Sequence, residues 1–395
     1  MLAALVLSAT IAANGLAAPA QLSRALDNLQ GGDLVLVTDP LGVRPVRALV
    51  AGRVAAPVET VRAALVVAAT YKSAVPNFQK VDVLSTQTTP TGSEQDVAWE
   101  LEVPMWNLEG RLQLHPRSDG VDLVLYQGDL SPGRFSITAH PESATRTLLL
   151  IEAHANVKDA NYVVRKITSR SALGEPAILV AAAYVLHRAL TIQFEKGWPD
   201  RPTTAMATAP LPDLLGQKLA VEAQAFSSGK ILTIWVRNRP DGRLSFVAGA
   251  FPSKATVAQV ASRAPTIPAF KSVLGWKDTT AEKGKLPECR DTTAICLVVD
   301  SNLPFFDLDA TWKLWGGQFR AKAVDENLKG AVMALDAIPH GSGSMIGLSQ
   351  SMGLHKSGFF ARKLIAAEPL LEQGLAIALV LADTLSFVQA VESGP

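Results

Sequence analysis

The chain has 395 residues, of which 48% are hydrophobic and 18% charged, with 37 basic against 36 acidic side chains. That length suits two ordinary domains with a core each, and the composition excludes general disorder. A net charge of +1 and a pI of about 7.8 leave no basic stripe for phosphates and no steering toward a membrane surface, so nucleic acid is not an expected partner.

Residues 2–20 carry no charge, and Leu2, Leu5, Val6, Leu7 and Ile11 lead to Ala18-Pro19-Ala20 ahead of Gln21. This is the pattern of a secretory apolar region with a small-residue cleavage site, so residues 1–20 read as a signal peptide. Export to the periplasm or beyond is the expectation; a chain that keeps the segment would stay in the cytoplasm. Leu34 to Val37 and Val46 to Val54 then read as strands, and Pro57 opens a helix over Val58 to Ala69, at a position where its missing N–H costs nothing. A one-sided antiparallel meander follows. Val97, Trp99, Leu101 and Val103 alternate with polar residues, as do Leu112 and Leu114, then Phe135, Ile137 and Ala139, with turns at Ser118-Asp119-Gly120 and Ser131-Pro132-Gly133. A long helix closes the half, roughly Asp159 to Phe194, with Ile178, Leu179, Ala182, Val185, Leu186 and Leu190 at helical spacing. Pro199, Pro202, Pro210 and Pro212 mark residues 197–213 as a linker between a domain at 21–196 and one at 214–395.

The second half repeats the first. Val50-Ala51-Gly52 returns as Val247-Ala248-Gly249, and Arg165-Lys166-Ile167 as Arg362-Lys363-Leu364, each 197 positions on. Tyr162 and Glu175 meet Phe359 and Glu372 at that spacing, and a matching helix runs from about Gly358 to Val391. Either long helix approaches a membrane span in length. Glu175, His187 and Arg188 in one, and Glu372, Gln373 and Asp383 in the other, are costly in lipid, so helices packed on a sheet are expected and no span in the mature chain.

Few motifs carry chemistry. There is no Gly-rich phosphate loop, no His-Glu-x-x-His pair and no Gly-x-Ser-x-Gly elbow, and the six histidines lack metal-ligand spacing, so neither metal nor cofactor is expected. His340-Gly341-Ser342-Gly343-Ser344 reads as a hairpin turn. Cys289 and Cys296 either close a short loop in an oxidising compartment or remain buried thiols. His154, Glu175 and Glu372 are the candidate polar anchors or proton carriers, set against ordinary roles at a strand end and on solvated helix faces.

The stretch Val50-Ala51-Gly52-Arg53-Val54-Ala55-Ala56-Pro57-Val58-Glu59-Thr60-Val61, followed by the proline-aromatic segment Tyr71 to Phe78, resembles the opening of the START-like, polyketide cyclase/dehydrase and coenzyme-Q-binding-like superfamily (SRPBCC). Phe251-Pro252-Ser253-Lys254-Ala255-Thr256-Val257 carries the same resemblance more faintly in the second half. The resemblance implies an α+β chain of two tandem helix-grip domains, each a curved antiparallel sheet wrapped around a long C-terminal helix, with an apolar cavity between them. Its wall would comprise Trp99, Leu101, Leu112, Leu114, Phe135, Ile137 and Tyr184, and in the second copy Trp312, Leu314 and Met333. Each of these is equally readable as plain core. The function expected is non-catalytic binding or carriage of a lipid, sterol, quinone or polyketide-like molecule by an exported bacterial protein, with no catalytic residue assigned. A cyclase or hydratase using a pocket His or Glu, and an interaction module with filled pockets, are the alternatives.

Overall fold

The computed structural model describes residues 16–393, except 43–45, 76–77, 91, 104–105, 158–163, 166–167, 170–171, 196–214, 227–229, 240–243, 264–277, 282–288, 290–294, 301–309, 316–319, 325–326, 355–361, 364 and 366–368. The apolar start of the expected signal peptide and the expected linker therefore lie outside the described residues.

Chain order is α1 (Pro19–Asn28), β1 (Asp33–Thr38), β2 (Arg47–Val54), α2 (Val58–Leu65), α3 (Ala68–Ala74), then β3 (Phe78–Thr89), β4 (Gly92–Val103), β5 (Trp106–Arg117), β6 (Gly120–Gly128), β7 (Gly133–Ser143), β8 (Arg146–Ala155) and the long α4 (Gly174–Phe194). The expected single helix at 58–69 is two. The chain leaves the helical region at Val67, an extended residue that heads α3. In α2, Pro57 sits at the N-cap with Glu59 in the first turn and Arg62 in the last, charges that suit the helix dipole.

The second half repeats this with α5 (Leu215–Ala223), β9 (Ile231–Asn238), β10 (Leu244–Ser253), α6 (Val257–Arg263), β11 (Asp278–Ala281), β12 (Ile295–Asp300), β13 (Ala310–Trp315), β14 (Arg320–Ala323), β15 (Val332–His340), β16 (Gly343–Ser351) and the long α7 (Pro369–Ser393). Residues 340–343 form the tight β15–β16 turn, with Gly341 at φ 55°. Both long helices begin later than the apolar periodicity suggested, at Gly174 and Pro369.

All the described strands belong to one antiparallel sheet, ordered β11-β12-β13-β14-β15-β16-β10-β9-β1-β2-β8-β7-β6-β5-β4-β3. Each half supplies eight, and β1 pairs with β9 at the centre. Leu36 stands opposite Thr233, residues 197 positions apart and so equivalent in the two copies; Leu34 pairs with Trp235, and Thr38 with Ile231. The copies are thus related by an approximate two-fold axis through the middle of that ladder.

Two separate cores are not what the chain builds. One apolar cluster runs from Val50 and Ile151 of the first copy to Leu348, Val380 and Phe387 of the second, because the joined sheet and the adjoining α4 and α7 leave no gap at the seam. Gly374 of α7 brings that helix against Ala181 and Val185 of α4. The opposite sheet face carries a smaller core, in which Leu22 and Leu26 of α1 and Leu219 of α5 cover Leu34, Leu36 and Trp235. Helices α4 and α7 have the length and composition to cross a membrane, but each packs one flank on the sheet through residues such as Leu179, Val180, Ile377 and Leu381.

Candidate functional site

In the first copy, the strand period and the register bring the expected wall residues to the helix-facing side of the sheet. Trp99 lies opposite Gly110, Val97 opposite Leu112 and Leu101 opposite Leu108. The rows continue through Leu114, Leu123 and Phe135, and through Val121, Ile137 and Ile151. Leu114 and Ile137 are sealed, and Trp99 and Phe135 nearly so, whereas Leu101 and Leu112 are only half-buried and pack against the core with Phe78, Leu108 and Leu130. Burial therefore fades toward β4 and β5. Phe78 meets the Trp99 ring edge-on, centroids 6.3 Å apart. Gly110 is glycine for a reason of space: a Cβ there would stand 2.4 Å from the Gln127 carbonyl and 3.1 Å from the Trp99 ring.

The second copy has the same rows with different chemistry. Leu314, Ala321, Met333 and Gln350 follow one another across the sheet where the first copy has Leu114, Leu123, Phe135 and Ala153. Trp312 opposes Ala323 where Leu112 opposes Leu125. The indole replaces bulk lost with two leucines, and Trp312, Leu314 and Met333 are all buried.

Tyr184 faces the sheet, fully buried, but its business is polar. Its hydroxyl donates to Asp33 Oδ2 at 3.0 Å and accepts from Asn238 Nδ2 at 3.1 Å, which ties α4 to the strands that join the copies. His187, one turn on, is within 3.2 Å of the Leu149 carbonyl through Nε2, so Nε2 carries the proton and Nδ1 is a bare acceptor. Burial lowers the His187 pKa, partly countered by Asp33, and burial raises that of Tyr184.

Of the expected anchors, His154 is exposed on β8, on the side away from α4, because its neighbour Ala153 takes the inward position. It cannot serve the helix-facing wall. Glu175 lies half-buried in the first turn of α4. Glu372 is buried and accepts the Leu354 N–H at 2.9 Å; burial raises its pKa and that hydrogen bond partly offsets the rise. Sequence reading passed over Asp33, His187, Asn238, Gln350 and Asp383 as site residues. For His187 and Asp383 a signal existed, a polar residue on the inward face of an otherwise apolar helix. Gln350 Nε2 donates to the Asp383 carboxylate, and burial pushes that carboxyl up to about 8. Cys289 and Cys296 are joined in a disulfide. Among the described residues no cluster of three or more His, Cys, Asp or Glu is placed to hold a metal.

Among the described residues, a strand, one or two short helices, six antiparallel strands and one long helix laid across them occur twice in this order, each time preceded by a helix and a strand that meets its counterpart at the seam. Each copy has a helix-grip architecture. No protein-family model and no curated protein matches the sequence. Among solved structures, a START superfamily protein from Mycobacterium smegmatis is 18% identical over 38% of this chain and 97% of its own, with a TM-score of 0.30. The Zhui aromatase/cyclase from Streptomyces sp. R1128 is 16% identical over 38% of this chain and 93% of its own, TM-score 0.31. The di-domain ARO/CYC StfQ from the steffimycin biosynthetic pathway is 10% identical over 87% of this chain and 97% of its own, TM-score 0.29.

Proposed function

We propose that the first START-like module binds a hydrophobic small molecule between its β4–β7 wall and α4, as a carrier and not as a catalyst. The supporting observation is the graded burial of one apolar face: Leu114 and Ile137 are sealed, while Leu101, Leu108, Leu112 and Phe78 continue the same surface half-open. An apolar wall with one incompletely covered end, between a sheet and a helix, is the usual form of a small-molecule site. Carriage is favoured over proton chemistry because His154 points away and no other histidine or carboxylate of the described β4–β7 wall faces α4. The second module, with Trp312 in place of a leucine, serves as the structural partner.

Native mass spectrometry of protein purified from its own host, followed by solvent extraction, should show a co-purifying hydrophobic molecule. Leu112→Arg keeps its head group near solvent while crossing the wall, and should release that molecule without unfolding the chain. Trp312→Ala should retain it. Wild-type protein that is empty in every preparation would remove the reading.

A further inference from the structure

Among the described residues, two polar atoms on the wall of the first module have no partner, and both belong to β4. Trp99 is 6% exposed, and its Nε1–H meets no acceptor. Gln95, four residues earlier on the same face and opposite Leu114, has a buried Oε1 that meets no donor. Between them stands Val97, fully apolar and 2% exposed. At the rise of a strand the two positions are roughly 13 Å apart. A buried donor or acceptor without a partner is a cost the fold ordinarily avoids, and neither indole nor amide packs better than the leucine or phenylalanine that would fill the same space. The residues across the ladder from Trp99 on this face are Val81 and Gly110, neither with a side-chain acceptor.

We propose that the ligand of the first module is an elongated, uncharged hydrophobe with an oxygen function at each end: a carbonyl or ether oxygen that accepts from Trp99 Nε1 and a hydroxyl that donates to Gln95 Oε1. This rests on the reading that the module binds a hydrophobic molecule at all. Among the described residues, no Lys or Arg of β4–β7 shares this face, so the wall itself offers a carboxylate or phosphate head no counter-charge; Arg111 and Arg134 alternate to the other face from Leu112 and Phe135. Both atoms are shielded, so the ligand takes its place as the half-buried Phe78, Leu101 and Leu108 shift outward.

Two probes with the same skeleton separate the possibilities: testosterone, with a ketone and a hydroxyl at opposite ends, and androstane, its hydrocarbon frame. Each is titrated against the full chain preloaded with N-phenyl-1-naphthylamine, and dye fluorescence is read. Testosterone should displace the dye at concentrations roughly ten-fold or more below those of androstane, the effect of satisfying buried polar groups. That preference should fall in Trp99→Phe, which keeps the ring, and separately in Gln95→Leu, with circular dichroism confirming that both fold. Equal displacement by the two probes, or a preference untouched in both variants, overturns the two-oxygen ligand while leaving an apolar site intact. Failure of the wild type to take up the dye or either probe overturns the binding reading itself, and this inference with it.

Discussion

Asp383 is 3% exposed, and its carboxyl titrates near 8, raised by burial and held back only by the Gln350 hydrogen bond. Among the described residues, none of the packed elements opposes it with a cation: β10 and β16 have no Lys, Arg or His within their spans, Arg237 of β9 alternates to the far face from Val236, Arg263 of α6 donates to the Val391 carbonyl, and the remaining charges of α7 are the carboxylates Glu372 and Glu392. Arg188 of α4 acts on Tyr184 and His187, and neither Arg188 nor His187 contributes at Asp383. At neutral pH the group therefore keeps its proton, which can be donated to Gln350 Oε1, an acceptor with no other partner. Acid and amide then satisfy each other twice. An unfolded aspartate titrates near 3.9, so from about pH 4 to about 8 the folded chain holds a proton that the unfolded chain has released. Stability from this group is complete below pH 4 and is lost as the pH rises through 8, at up to about 1.4 kcal/mol per unit. Glu372, raised by burial, acts in the same direction; His187, lowered by burial, acts in the opposite one below about 6.5. The difference between wild type and Asp383→Asn isolates the one residue. Urea midpoints at pH 5, 7 and 9 should converge at acid pH and separate in favour of the variant at pH 9. Parallel curves would mean that Asp383 is ionised in the folded state.

At the scale of elements, each long helix crosses its sheet at a glycine. His187 of α4 rests on Gly52 of β2, and Thr384 of α7 rests on Gly249 of β10; these residues are equivalent between copies. The recurrent Val-Ala-Gly was visible in the sequence as a repeat of strand residues, but its cause was not, because the helix that needs the glycine lies more than 100 positions away. A Cβ on Gly52 would stand 2.2 Å from Asp33 Oδ1 and 2.4 Å from His187 Cε1, and one on Gly249 would stand 2.5 Å from Thr384 Oγ1. A threonine hydroxyl can rotate away; an imidazole held by Leu149 and a carboxylate held by Tyr184 cannot do so without losing those bonds. Gly52→Ala should therefore cost about 2 kcal/mol or more, in the range of core overpacking, and Gly249→Ala clearly less. Equal costs in denaturant titrations would show that the polar cluster yields as easily as the lone hydroxyl. The same distance in sequence explains what else was legible. Local alternation placed Val97, Trp99 and Leu101 on one face and marked the turn at Gly341, since neighbours on the chain carry that information. It could not show that His154 faces outward, because strand β8 is apolar on both faces: Leu148 and Leu150 pack under α1, while Leu149 and Ile151 pack under α4.

For the molecule as a whole, the repeat of 197 positions announced two modules, and two modules suggested two cores. What unites them is the strand that precedes each module. Leu34 and Leu36 of β1 are covered by α1 and its counterpart, Val35 and Val37 by the long helices, so β1 is buried on both faces and continuously apolar, as a central strand is. A strand of that kind at the edge of an isolated module would expose unpaired N–H and C=O groups beside bare leucine and valine, a surface that recruits another strand. Because Leu36 lies opposite its own equivalent, Thr233, the ladder is compatible with replacement of the second module by another first module in the same register. A fragment comprising residues 16–196 should therefore sediment as a dimer, with Leu36 opposite Leu36. Val35→Pro removes a backbone donor from a strand paired on both sides, and should shift the fragment to aggregate or unfolded monomer. In the full chain the same substitution should weaken, not abolish, folding, since the covalent link keeps the second module at high effective concentration. Sedimentation velocity with circular dichroism reads both outcomes. A fragment that is folded and monomeric at micromolar concentration would show that each module closes its own core, and that the joint between β1 and β9 is an accessory to two independent folds.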